Sequence, residues 1–225
     1  MKSLLDWLDG RTGYRKIAHE ALYENVPGGA RWRYVWGSTL TFTLAVQFIT
    51  GIFLWMAYNP SSQTAWESVY YIQHVMWGGW FLRGLHHYTA HAMTVLLVIH
   101  LMQVVIDGAY KAPREINFWS GVVLLLLVLA LSLTGYLLPW DQLAIWAITV
   151  GSNMAKATPL VGAGGPFAKV MMFPGTDVPM IHAGSDARFF LLAGTFVGEN
   201  ALLRFYVLHC VFIPVIVTVL IAVHF

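Results

Sequence analysis

The chain has 225 residues, of which 58% are hydrophobic and 11% charged, with a formal net charge of +2. Soluble domains carry about 25% charged residues, so an ordinary water-soluble globule is excluded, and so small a charge without a basic block gives no sign of a nucleic-acid partner. The single cysteine, Cys210, excludes an intrachain disulfide.

Residues 1–33 place Asp6 and Asp9 among Leu4, Leu5, Trp7 and Leu8. They lack the basic start and apolar core of a signal peptide and are expected to form an amphipathic segment at the membrane interface. Four apolar runs follow, at about 34–58, 81–106, 118–138 and 202–225. Each meets the length of about 20 residues that crosses a bilayer core, and Trp36, Trp55, Trp80, Trp119 and Trp140 fall near their ends, as in an interfacial aromatic belt. The expectation is an all-α, up-and-down transmembrane four-helix bundle over 34–225, in one domain.

Basic residues set the orientation. Lys2, Arg11, Arg15, Lys16, Arg31 and Arg33 precede the first run, and Lys111 and Arg114 lie between the second and third. Positive charge stays on the cytoplasmic side, so the N-terminus and that short loop are expected inside, in an energy-transducing membrane such as a bacterial plasma membrane. The second and fourth runs then cross in the same direction. The connection from about 140 to 199 is long and rich in glycine and proline, and its first part, 141–154, is expected to form a surface helix. The last run reaches Phe225 without a polar flank, so either the chain is cut short there or the helix continues in a longer natural chain.

Histidines carry the chemistry. His86 and His100 lie 14 residues apart in the second run, and His209 and His224 lie 15 apart in the fourth. At about 100° and 1.5 Å per residue, each pair shares roughly one helix face with about 21 Å between its members. Because the two runs are co-directional, His86 is level with His209 near the outer face, and His100 with His224 near the inner face. A lone histidine in a bundle is ordinarily a hydrogen-bonded core residue. Two pairs at matching depths fit two bis-histidine haems, non-covalent because no Cys-x-x-Cys-His run is present. His87 and His91 sit about 140° and 180° from His100 and point elsewhere.

Two glycine pairs repeat the period: Gly37 and Gly51, and Gly121 and Gly135, each 14 apart. They read either as notches for haem edges or as ordinary close helix contacts. Arg83, Arg114 and Arg204 are placed to pair with haem propionates, or to snorkel as interfacial cations. Haems ligated on both faces have no open position for substrate and pass electrons.

With these residues in view, the chain resembles the N-terminal, haem-binding half of cytochrome b of Rieske/cytochrome b complexes, of the bc1 and b6f types. The carriers are the histidine spacings, the four glycines, Lys111-Ala-Pro-Arg-Glu115, Thr134-Gly-Tyr-Leu-Leu-Pro-Trp-Asp-Gln142 and Leu203-Arg-Phe-Tyr-Val-Leu-His209. The last interval and the Pro-Trp-Asp-Gln run are closest to the short b6-like form. The resemblance implies a subunit of a quinol:cytochrome c (or similar acceptor) oxidoreductase, inactive alone, with outer haem bL beside a quinol-oxidation pocket and inner haem bH beside a quinone-reduction site. Tyr136, Trp140 and Asp141 would stand at the outer pocket and Glu20 at the inner site. Implied partners are a Rieske iron–sulfur protein, a c-type cytochrome, the C-terminal half of cytochrome b, quinone, lipid and a second copy of the complex. Three positions depart from the family. Val35 replaces the cysteine that attaches an extra c-type haem in b6 chains, and His87 and Gln103 replace arginines near the haems. The rival readings are a ferric-reductase-type membrane enzyme, which needs a flavin domain, and a cytochrome b anchor of another reductase or dehydrogenase.

Overall fold

A computed structural model describes residues 3–23, 29, 31–156, 173, 175–176 and 183–224. Ser3 opens the first helix, α1 (Leu4–Thr12), through a capping box. Its hydroxyl accepts from the Asp6 amide while the Asp6 carboxylate accepts from the Ser3 amide. Gly13, at φ 62°, ends α1 and leads into α2 (Tyr14–Leu22). Arg15 pairs with Asp6 across that turn at 2.9 Å. No described residue of α1 is buried, so this segment stands apart from the bundle core.

Four helices are long and apolar enough to cross a membrane: α3 (Trp36–Ala57), α5 (Gly79–Ile106), α6 (Glu115–Leu137) and α9 (Glu199–His224). Large apolar side chains such as Phe42, Val98, Leu126 and Val219 stay exposed along them. In water that surface would be untenable; in hydrocarbon it costs nothing, so this is an integral membrane protein. Helix α3 packs chiefly on α5, and α6 on α9. α6 begins three residues before the apolar run, because Glu115 in its first turn complements the positive helix end.

The connection between α3 and α5 holds a helix, α4 (Ala65–His74), that hydrophobicity at membrane length passes over. Its return into α5 depends on two glycines. Gly78 takes φ 70°, and a Cβ on Gly79 would overlap the carbonyl oxygen of Ile72. Overpacking of that kind costs about 1–3 kcal/mol. Gly79→Ala is therefore expected to lower the thermal unfolding midpoint in detergent, whereas Gly84→Ala, into open space, leaves it unchanged; equal midpoints would refute the close approach.

Beyond α6, Asp141 caps α7 (Gln142–Lys156), its Oδ1 accepting from the Ala144 amide at 2.7 Å. Helix α8 (Ala183–Leu192) then packs on α7. The glycine- and proline-rich stretch beginning near 162 falls mostly outside the described residues.

Helix α9 contains a π-helical turn at Leu208–Phe212. Pro214 accounts for it: lacking an N–H and crowding the carbonyl of Cys210 four residues back, it breaks the α ladder there. A π turn takes up about one residue more than an α turn. The 15 residues from His209 to His224 thus rotate about as far as the 14 from His86 to His100.

Two apolar clusters hold the bundle. One, at the end of the bundle that carries α7 and α8, gathers Leu137, Ile148, Leu192, Leu202 and Phe205 from α6, α7, α8 and α9. The other lies mid-bundle and joins Leu44, Met93, Leu124, Val128, Ile213 and Val217.

Candidate functional site

The four spanning helices present a three-level ladder. At the level expected to be outer, Gly51 of α3, His86 of α5, Gly135 of α6 and His209 of α9 come together; at the level expected to be inner, Gly37, His100, Gly121 and His224 do. Each glycine faces one imidazole. A Cβ would stand 2.5 Å from His209 Cε1 at Gly135, 2.9 Å from His224 Cε1 at Gly121, 3.3 Å from His86 Cε1 at Gly51 and 3.6 Å from His100 Cε1 at Gly37. Midway lie Leu44, Met93 and Val128, seven residues from either level on their helices, with Val217 in the same place on α9. All four are at most 6% exposed. The levels are therefore separated by a dry apolar layer.

The His86 and His209 rings face one another across the bundle, centroids 6.3 Å apart and planes at 76°. A metal–imidazole bond of about 2 Å, plus roughly 1 Å from nitrogen to ring centre, predicts about 6 Å for two imidazoles on opposite sides of one metal ion. The outer pair has that separation.

Hydrogen bonding fixes which nitrogen is free. Thr50 Oγ1 donates to the Val46 carbonyl at 2.6 Å, so toward His86 Nδ1, 2.8 Å away, it accepts. His209 Nδ1 lies 3.0 Å from the Leu131 carbonyl, which can only accept. Ser120 Oγ donates to the Asn117 carbonyl at 2.7 Å and so accepts from His224 Nδ1 at 2.9 Å. In all three neutral imidazoles the proton sits on Nδ1, leaving the Nε2 lone pair for a metal. His100 differs. Its Nδ1 is buried with no hydrogen-bond partner, and the polar group that bears on the ring is the Gln103 side chain, three residues on along the same helix. His100 and His224 lie within electrostatic range of each other at this level.

These supporting groups escape a reading for ligands, yet they leave a sequence signal. A hydroxyl residue directly precedes three of the four glycines: Thr50-Gly51, Ser120-Gly121 and Thr134-Gly135. Trp36 precedes Gly37, and Gly37 faces His100, the one ring of these four whose Nδ1 has no partner.

The remaining sequence candidates are placed as follows. His87 and His91 are exposed, on a different face of α5 from the ladder, with rings stacked edgewise at 4.6 Å. Arg83 Nη1 donates to Gln73 Oε1 at 2.8 Å. It lines a cavity of about 170 Å³ with Trp66, Gln73, His74, Pro139 and Asp141. Arg204 donates to the Phe190 carbonyl and lies over that residue's ring. Arg114 is exposed just ahead of α6. Glu20 is exposed on α2, 3.8 Å from Lys16. Tyr136 is 45% exposed on α6. Trp140 takes φ 54°, in the left-handed region rare for a bulky residue, and packs on the first of the two apolar clusters.

Imidazoles paired at matching levels of a membrane bundle, with Nε2 lone pairs turned inward and glycines opposite them, two of which (Gly121 and Gly135) leave no room for a Cβ, define a membrane protein that holds a planar metal cofactor between its helices. Residues 23–166 match the family described as cytochrome b/b6/petB. The chain belongs to the cytochrome b/b6/petB family. It is 35% identical to the menaquinol:cytochrome c reductase cytochrome b subunit of Bacillus subtilis (strain 168), over 100% of this chain and 94% of that one. It is 30% identical to cytochrome b6 of Acaryochloris marina (strain MBIC 11017), with the same coverage. Among solved structures, a chain of a hyperthermophilic respiratory complex III superposes with a TM-score of 0.79 at 26% identity, covering 98% of this chain and 53% of that chain. The chain thus spans about half the length of that chain. Family membership brings haem binding and the role of an electron-transfer subunit in a membrane oxidoreductase.

Proposed function

We propose that the chain holds two non-covalent b-type haems, the outer between His86 and His209 and the inner between His100 and His224. It would carry electrons from quinol oxidation at the outer face to quinone reduction at the inner. The observation that carries this is the 6.3 Å separation of the His86 and His209 rings, with both Nδ1 protons committed elsewhere. When bound, haem supplies reversible one-electron chemistry at a potential set by its ligands and surroundings. The chain fixes ring orientation through Thr50, Leu131 and Ser120, admits the flat group through its glycines, and keeps water from between the levels with the apolar layer.

Each quinol oxidised outside releases two protons and two electrons. One electron leaves by a Rieske iron–sulfur protein to a c-type cytochrome, and the other crosses the bundle. Two such crossings, with two protons taken up inside, convert quinone to quinol, so charge separation builds a protonmotive force. Tyr136 and Trp140 would wall the outer pocket, and Asp141 would hold α7 in place through its cap. Glu20 would serve the inner site, and Arg83, Arg204 and Arg114 would neutralise propionates. The rest of the outer pocket would come from a C-terminal half of cytochrome b, in a homodimeric complex with the N-terminus on the cytoplasmic side.

The test uses the complete complex in sealed vesicles, with a quinol and an oxidised c-type cytochrome. An inhibitor of the outer site is expected to block reduction of both the cytochrome and the b haems, and one of the inner site to leave the b haems reduced. Haems that quinol never reduces would exclude this function.

A further inference from the structure

The hydrogen-bond acceptors behind the four imidazoles are unequal between the levels, and that inequality has a redox consequence. An acceptor on Nδ1–H draws the proton away from the ring and makes Nε2 a stronger donor, and such partners are a main lever on a bound metal. A stronger donor favours the oxidised metal and lowers the haem potential. At the outer level both ligands have acceptors: Thr50 Oγ1 at 2.8 Å from His86 Nδ1, and the Leu131 carbonyl at 3.0 Å from His209 Nδ1. At the inner level only His224 has a fixed one, Ser120 Oγ at 2.9 Å; His100 Nδ1 has no partner within hydrogen-bond geometry, the Gln103 side chain being the polar group that bears on its ring. The cause is local sequence: Thr50 precedes Gly51, whereas Trp36, which has no hydroxyl, precedes Gly37.

We propose that this uneven set of acceptors orders the two potentials, with Thr50 and Leu131 holding the outer haem lower and the unsupported His100 leaving the inner haem higher, so that electrons run inward. The inference rests on the two-haem reading above. Thr50 and Ser120 are positioning residues: each acts on the metal only through its histidine. Thr134 is a weaker case, since its hydroxyl donates to the Ala130 carbonyl at 2.8 Å and stands 3.4 Å from His209 Nδ1, behind the Leu131 carbonyl.

The experiment is an optical redox titration of the purified complex carrying Thr50→Val, Thr50→Ser, Ser120→Ala or Thr134→Val, with haem content measured in parallel. Thr50→Val is expected to raise the outer potential alone and narrow the gap, while Thr50→Ser, which keeps the hydroxyl, restores it. Ser120→Ala is expected to raise the inner potential alone and widen the gap, and Thr134→Val to move neither appreciably. Opposite changes of the gap from two hydroxyl deletions cannot arise from general loosening of the bundle. Unchanged potentials in Thr50→Val and Ser120→Ala with both haems bound, or equal shifts of both haems, overturn the proposal. If Thr50→Val sheds the outer haem, Ser120→Ala decides by its effect on the inner one. A wild-type complex with fewer than two b haems would instead overturn the two-haem reading itself.

Discussion

Replacing any one of the four ladder histidines by alanine is expected to halve the haem content of the purified protein and to remove one identifiable haem. His86→Ala and His209→Ala should abolish the lower-potential step of an optical redox titration, and His100→Ala and His224→Ala the higher one. Each histidine supplies one of the two protein ligands of its haem, so its removal abolishes the low-spin six-coordinate state of that haem and weakens its hold in the bundle. His87→Ala and His91→Ala serve as controls: their rings lie on another face of α5, so both haems should remain, with at most a changed outer potential. A pyridine haemochrome assay gives the count. One haem per wild-type chain, or loss of a haem in either control, would contradict the assignment.

A graded result is expected from the glycines. Alanine adds only a Cβ, and the room for it falls in the order Gly37, Gly51, Gly121, Gly135, from 3.6 to 3.3, 2.9 and 2.5 Å of the facing imidazole. Gly37→Ala should bind both haems normally. Gly135→Ala should displace the His209 ring and deplete the outer haem, and Gly121→Ala should weaken the inner one. At Gly51 the outcome depends on a few tenths of an ångström of give in the His86 ring, which its bond to Thr50 restricts. Leucine at Gly51 or Gly135 should remove the outer haem selectively, and at Gly37 or Gly121 the inner. Haem-specific titrations distinguish this from simple helix packing, under which both haems would disappear together.

The depth of each ligand was legible in the sequence because a membrane span is a ruler. At about 1.5 Å per residue, four apolar runs with histidines and glycines at one recurring interval leave few ways to align them. Apolar run length gave the four spans for the same reason, since hydrocarbon demands continuous internally bonded helix. Helix α4 left no such mark: it is 10 residues long and half-exposed, and tertiary contact with α5 rather than any long apolar run holds it. The π turn was hidden as well. Pro214 announces a disturbed ladder, but not that the disturbance would absorb the extra residue between His209 and His224.

What the sequence determined alone was therefore one-dimensional: which segments enter the membrane, in which direction, and which side chains share a depth and a face. Only the tertiary structure decided what meets across helices. It paired each glycine with one imidazole, brought Thr50, Leu131 and Ser120 behind three of the rings, and left His100 without an acceptor. It also turned Arg83 toward Gln73 and Arg204 toward the Phe190 carbonyl. The physical reason is that helical periodicity fixes angle and height along a single axis, whereas a hydrogen bond between residues 36, 78 or 104 positions apart depends on how neighbouring axes approach and rotate, which side-chain packing alone sets.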